Sequence, residues 1–464
     1  MVRSRNAKLT THKHVMSNVG YTRFDDEPPA PKGSTAQICR SILWPSPRQC
    51  LQYGCGLLVV VLAMSAAWLH GCLITHKLGL PDRRWLAESN SCTDSDGPAG
   101  WIVITPGCLP SDDTADLWCP GDAGYMCYKI PTLVRVPRSS TLLAIIEARR
   151  YSCDDHGWVD MLIRRSDDGG ASWNPATVIW SNSTDQEWHT IGDANPVLDR
   201  NGRLHLMLTR DNADVLYTTS DDLGRSWRLP PRNLSSLVLT ERNNVGTGHA
   251  GGIRLAGSDR LVVPLYGGGR RSYALLSDDD GATWRPGGDL GVDAAEWAVA
   301  EVKAGSGRLI GSLRGVHGRR LQAYSDDGGE TWGAAYEVAE LPEPVTGCEG
   351  ALVLHPNGRL YYAHPDPLPS TAWLWRPWLP WPMLRETMNI KVSDDGGRTW
   401  QQHVQLWGAD AGNCVPPCVP AASYSSLAVL GDGVQSELAL LYMRNNASML
   451  IFEGRGVAFA TFAP

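Results

Sequence analysis

Five segments of the chain fit one pattern, S-x-D-x-G-x-[ST]-W: SDDGGASW (166–173), SDDLGRSW (220–227), SDDDGATW (277–284), SDDGGETW (325–332) and SDDGGRTW (393–400). Ser and Asp oxygens can accept backbone amides, Gly permits positive φ, and Trp can staple a turn onto a neighbouring strand. The pattern is therefore a hairpin-turn device. Each copy follows a short β-rich run, as in VDMLIRR, DVLYTTS and NIKVS. Their starts are 54, 57, 48 and 68 residues apart, close to one four-stranded propeller blade each. The 48 Gly and 31 Pro suit a turn-rich, all-β chain. Five of the 19 Trp, which far outnumber the 4 Phe, are motif Trp. A net charge of −7 offers nothing to nucleic acid, and no such partner is expected.

Residues 1–50 are polar and without period, and read as a disordered cytoplasmic tail. From Tyr53 to Ile74 the chain holds no acid, Lys or Arg over 22 residues. That is enough to cross a hydrocarbon core of about 30 Å as a helix. The preceding segment carries more Lys and Arg than acids, which keeps it cytosolic. The expectation is a type II transmembrane signal anchor at 53–74 and a stem at 77–124. The remainder, 125–464, then forms a lumenal or extracellular domain at the Golgi, a lysosome-related compartment or the plasma membrane. Eight cysteines follow the span, and Cys119/Cys127 and Cys414/Cys418 are close enough for local bridges. Three glycosylation sequons, at Asn182, Asn233 and Asn446, also follow it.

The repeats resemble the Asp boxes of the sialidase family, and the resemblance covers residues 125–464 or so. It implies a six-bladed β-propeller that removes terminal sialic acid from glycoproteins or glycolipids, with no metal or cofactor. Asp boxes also occur in propellers that bind rather than cleave, so the remaining motifs carry the functional expectation. Sialic acid bears a carboxylate on its anomeric carbon, and guanidinium forks bind carboxylates in fixed orientation. The family uses three arginines. The first sits in Arg-Ile-Pro, where this chain reads YKIP, so Lys129 keeps the charge and loses the fork. The second resembles Arg314 in RLIGSLRG, and the third Arg385 in RETMNIKVSDDGG. Arg149 in LLAIIEARR resembles a further arginine that shapes the pocket, and Arg150 can exchange with it in the alignment.

The general acid/base resembles Asp154 in YSCDDHGW, with Asp155 beside it, and partial burial is expected to raise its pKa. A carboxylate nucleophile would be repelled by the substrate's own carboxylate, and sialidases are the Tyr-nucleophile exception among glycosidases. Tyr424 in AASYSSLAVLGDG matches that Tyr, and Glu296 in AAEWAVAEVKAGSGRL matches its base, with Glu301 as the alternative. Asp193 and Asn195 are placed to touch the sugar. Rival readings are a trans-sialidase, a sialic-acid lectin weakened by Lys129, and a tethered adhesion propeller. Residues 366–384, DPLPSTAWLWRPWLPWPML, read as a rigid loop that packs on the propeller, overhangs the site to stack the aglycone sugars, or touches the membrane.

Overall fold

Strand Leu142–Arg149 is buried along its whole length, and its side chains divide cleanly by parity. Leu142, Ala144, Ile146 and Ala148 enter one apolar cluster; Leu143 and Ile145 enter another. Alternate residues of a strand point to opposite faces, so a sheet packed on both sides needs an unbroken apolar run. The computed structural model describes residues 115–238, 244–248, 250–267, 271–291, 295–315, 318–344, 347–367, 385–407, 421–445 and 456–464. These form six antiparallel four-stranded sheets. Their first strands are Cys127–Arg135, Ile191–Leu198, Ile253–Arg254, Trp297–Glu301, Ala351–Leu354 and Ala421–Val429, here blades one to six. The first strands of neighbouring blades contact one another at five of the six junctions, and at the sixth the second strand of blade three meets the first strand of blade four, so the ring closes round the axis of a six-bladed propeller. Among the described residues the core is six apolar clusters, each drawn from two adjacent blades.

Each Asp box joins the third strand of its blade to the fourth. In blade one, Ser166 Oγ accepts the Gly170 amide at 2.8 Å, and Asp168 accepts the Ser172 amide at 2.9 Å and its hydroxyl at 2.5 Å. Its hydrogen bonds from Ser172, and one from Ser166 Oγ at 2.7 Å, hold the Asp168 pKa down to about 2. Six blades carry five boxes because the third strand of blade six, Gly456–Phe462, pairs with Ala115–Trp118 from the other end of the domain. No turn joins those two strands, so no box is needed. Arg444 Nε donates to Asp116 at 2.9 Å across this closure, and both side chains are buried. Ala115–Trp118 lies before residue 125, so the propeller starts earlier than the composition change suggested.

Cys127 pairs with Cys153 rather than with Cys119, which is itself disulfide-bonded. The sheet register explains this. Cys127 lies opposite Arg149, so the loop leaving Arg149 returns Cys153 to within 5.4 Å, Cα to Cα. Among the described residues no helix is long and apolar enough to cross a membrane. Segment 53–74, the tail, most of the stem, Cys414/Cys418, Asn446 and the Trp-rich stretch 368–384 lie outside the described residues.

The fifth box position also sets blade spacing. Gly281 has φ +75°, and a Cβ there would collide with His205 of the preceding blade. Gly202 has a similar φ of +82° with open space around it. Gly281→Ala is therefore expected to destabilise the domain by about 2 kcal/mol more than Gly202→Ala, the overpacking component alone. Urea midpoints of the two variants measure this, and equal losses would contradict it.

Candidate active site

Three of the six first strands break register at the axis. The break falls between Lys129 and Thr132 in blade one, Gly192 and Asn195 in blade two, and Ala422 and Ser425 in blade six. Ile130 and Asp193 there hold φ of +58° and +55°, unusual for residues other than glycine. A bulge redirects side chains that would otherwise alternate into the blade faces. Lys129, Asp193 and Tyr424 all sit at such bulges.

Tyr424 stands at the centre. Its hydroxyl donates to Glu296 Oε1 at 2.5 Å, and Arg314 Nη1 donates to Glu296 Oε2 at 2.7 Å and to the Tyr424 oxygen at 3.1 Å. Blades four and six thus meet in one three-residue cluster. Burial, and then the Glu296 charge, push the Tyr424 pKa well up, while Arg314 and Arg385 pull it down. The phenol is neutral at rest, and its hydroxyl proton points at a carboxylate oxygen. The Arg385 guanidinium sits 5.3 Å from the Tyr424 ring centre and donates to Ser423 Oγ at 3.0 Å and to the Gly347 carbonyl at 2.9 Å. Glu301 is at the other end of its strand, where it accepts the amides of Ala256, Gly305 and Gly307. It caps a turn.

Lys129 faces this cluster from blade one. Burial lowers its pKa to about 8, with the charges of Arg149 and Arg385 acting in the same direction. Its ammonium donates to the Cys153 carbonyl at 2.5 Å and lies 3.7 Å from Asp155. Arg149 is buried beneath the same loop. It donates to the Cys153 carbonyl at 3.0 Å, the Asp154 carbonyl at 2.6 Å, Asp155 Oδ1 at 2.7 Å and Glu147 Oε2 at 2.7 Å. Arg149 therefore anchors the loop that carries Asp154. Arg150 points outward, its guanidinium 4.6 Å from the Trp158 ring centre, so the two arginines do not exchange places. Burial opposes the Asp155 charge, but Arg149 and Lys129 hold its pKa below the usual carboxylate range. Asp154 is exposed, and its carboxylate makes no hydrogen bond among the described residues. The partial burial expected of the acid is not present.

Asp193 accepts Thr209 Oγ1 at 2.9 Å and Asn212 Nδ2 at 3.3 Å, and Asn195 donates to the Gly248 carbonyl at 2.9 Å. Both serve the scaffold. Several supporting acids had no sequence signal. Glu343 accepts the Gly315 amide at 3.0 Å, next to Arg314; Glu349 accepts the Ser425 amide at 3.1 Å, next to Tyr424. Glu147 accepts the Asp193 amide at 2.9 Å as well as Arg149. Only contacts between residues distant in sequence reveal such roles. Among the described residues no group of His, Cys, Asp and Glu could hold a metal ion.

The BNR repeat-like domain family matches residues 140–436. Sialidase-2 of Rattus norvegicus is 29% identical over 210 residues, covering 38% of this chain and 54% of the relative. The chain thus spans about half the length of that curated relative. The Hadza microbial sialidase Hz136 superposes with a TM-score of 0.59 at 23% identity, covering 75% of this chain and 68% of the other. Trypanosoma rangeli sialidase in complex with 2,3-difluorosialic acid, a covalent intermediate, gives 0.54 at 23% identity, over 72% and 54%. At these identities the superpositions establish the fold.

Lys129 carries its charge below about pH 8 and loses it above. Because Arg385 contributes to the depression, Arg385→Met is expected to move the Lys129 midpoint upward. NMR titration of the lysine side chains in both proteins checks this. A Lys129 midpoint at the ordinary lysine value in the parent protein would contradict the buried, cation-flanked placement.

Proposed function

The chain is a BNR-repeat propeller of the sialidase family, and on that premise we propose that it is a retaining exo-α-sialidase acting on sialylated glycoproteins or glycolipids. The observation that carries the reading is the Tyr424–Glu296–Arg314 cluster, with the Tyr424 hydroxyl 2.5 Å from Glu296. A phenol is a poor nucleophile at its ordinary pKa and needs a base within hydrogen-bond reach. Glu296 meets that requirement, and a neutral phenol does not repel the substrate's carboxylate.

In this mechanism Lys129, Arg314 and Arg385 hold the sialic acid carboxylate. Asp154 gives its proton to the glycosidic oxygen as that bond breaks. Tyr424 attacks the anomeric carbon and passes its proton to Glu296, while Arg314 stabilises the charge developing on the phenol oxygen. Asp154, now a carboxylate, takes a proton from water, which displaces Tyr424, and the phenol recovers its proton from Glu296. Arg149 positions the Asp154 loop. The exposure of Asp154 suits a group that meets the leaving oxygen at the mouth of the site. We also propose that segment 53–74 tethers the propeller on the lumenal or extracellular side of a membrane. The Cys127–Cys153 bridge supports an oxidising compartment. A binding-only reading draws on Lys129, whose ammonium is already engaged by the Cys153 carbonyl.

A fluorogenic sialoside assay tests the proposal. The protein is expected to hydrolyse the substrate at mildly acid pH, and Tyr424→Phe to lose about 10³-fold or more in kcat. KM is expected to rise above about pH 8 as Lys129 loses its charge. Lys129→Arg restores a permanent fork, so it should lower KM by roughly tenfold and remove that alkaline rise. Sialoside binding without turnover would favour the lectin reading and sink this one.

A further inference from the structure

Of the seven large apolar side chains exposed among the described residues, three lie on one rim of the propeller: Met126, Tyr151 and Trp188. The segments carrying them are stitched together by backbone. The Met126 amide donates to the Arg149 carbonyl at 2.9 Å, the Arg150 amide to Trp158 at 3.0 Å, and the Val159 amide to His189 at 3.1 Å. Tyr151 and Trp188 touch, with ring centres 5.1 Å apart and planes tilted by 32°, although each is 53% exposed. Trp158 braces them from behind. Its ring meets Tyr151 edge-on at 6.0 Å, and its Nε1 donates to Asp160 at 3.0 Å, which also accepts the Tyr125 hydroxyl at 2.7 Å. Arg150 lies over both Trp158 and Tyr151. Two aromatic faces are thus held in place and left to solvent.

We propose that Tyr151 and Trp188 form a stacking platform for the neutral pyranose joined to sialic acid through the scissile bond. The inference rests on the sialidase reading above. An acid that protonates the leaving oxygen must lie within hydrogen-bond reach of it. The leaving sugar therefore departs on the side of Asp154, which is three residues from Tyr151 in a loop held by Arg149. A pyranose offers a face of C–H groups that packs on the electron-rich face of an aromatic ring, while its hydroxyls stay in water. Two rings present an area suited to one or two sugars, far below the roughly 1,000 Å² that a specific protein interface needs.

The test compares sialyllactose, which carries the next sugar, with methyl α-sialoside, which does not. In the Tyr151→Ala/Trp188→Ala double variant, the ratio of kcat/KM for sialyllactose to that for methyl α-sialoside should fall about tenfold. Tyr151→Phe/Trp188→Phe, which keeps both rings, should restore most of the ratio. An unchanged ratio in a folded double variant overturns the platform, whether or not overall rates drop. Hydrolysis of neither substrate by the parent protein removes the sialidase reading and the platform with it. Thermal melts of each variant separate a lost fold from a lost contact.

Discussion

Every blade of this propeller is apolar on both faces, so a blade left without a neighbour would expose one side of a strand such as Leu142–Arg149, all of it now buried. A ring is the arrangement that leaves no such face. Its closure falls to Ala115–Trp118, which supplies the fourth strand of the sixth blade beside Gly456–Phe462. Arg444 and Asp116 pair there out of water, with the Arg444 guanidinium 4.9 Å from the Trp407 ring centre. Removing one partner would break a buried ion pair, a change of about 3–5 kcal/mol.

That ring is what makes the charge density at the axis tolerable. Lys129, Arg149, Arg314 and Arg385 come from four separate places in the chain, and like charges in a low dielectric repel. Each is met by fixed acceptors. Glu147 and Asp155 take Arg149, Glu296 takes Arg314, and Ser423 and the Gly347 carbonyl take Arg385. Burial, and then the charge of Arg149, lower the Lys129 pKa to about 8. A lysine can respond to burial in this way, whereas an arginine keeps its charge. The substitution in YKIP therefore gives this site a pH-sensitive member. The Tyr424–Glu296–Arg314 cluster is another case: three groups hydrogen-bonded to one another before any substrate arrives. Electrostatic preorganisation of this kind requires no rearrangement during reaction.

The Asp boxes made the blades legible, because that turn needs the same Ser, Asp and Gly atoms wherever it occurs. They could not show the sixth blade's closure, where no turn exists. YKIP, RLIGSLRG and AASYSSLAV led to Lys129, Arg314 and Tyr424, which the bulged and adjacent strands bring to one axis. Local text was less informative where a role depends on contacts. Asp154 and Asp155 differ only in that Arg149 and Lys129 engage one carboxylate. Arg149 itself reads as a pocket residue and turns out to anchor a loop. Glu343 and Glu349, which hold the amides beside Arg314 and Tyr424, have no motif at all. Cys127 finds Cys153 through sheet register, not through proximity to Cys119.

In the proposed mechanism Tyr424 forms a bond to the anomeric carbon. Fluorine next to that carbon slows both steps by destabilising positive charge there, and fluoride as leaving group lets the first step proceed. The reagent 2,3-difluorosialic acid therefore traps the glycosyl-enzyme if one forms. Mass spectrometry of proteolysed, reagent-treated protein should find one sialosyl adduct, on the peptide containing Tyr424, and none in Tyr424→Phe. An adduct on Asp154 or Glu296, or ready turnover with no covalent species, would contradict the account.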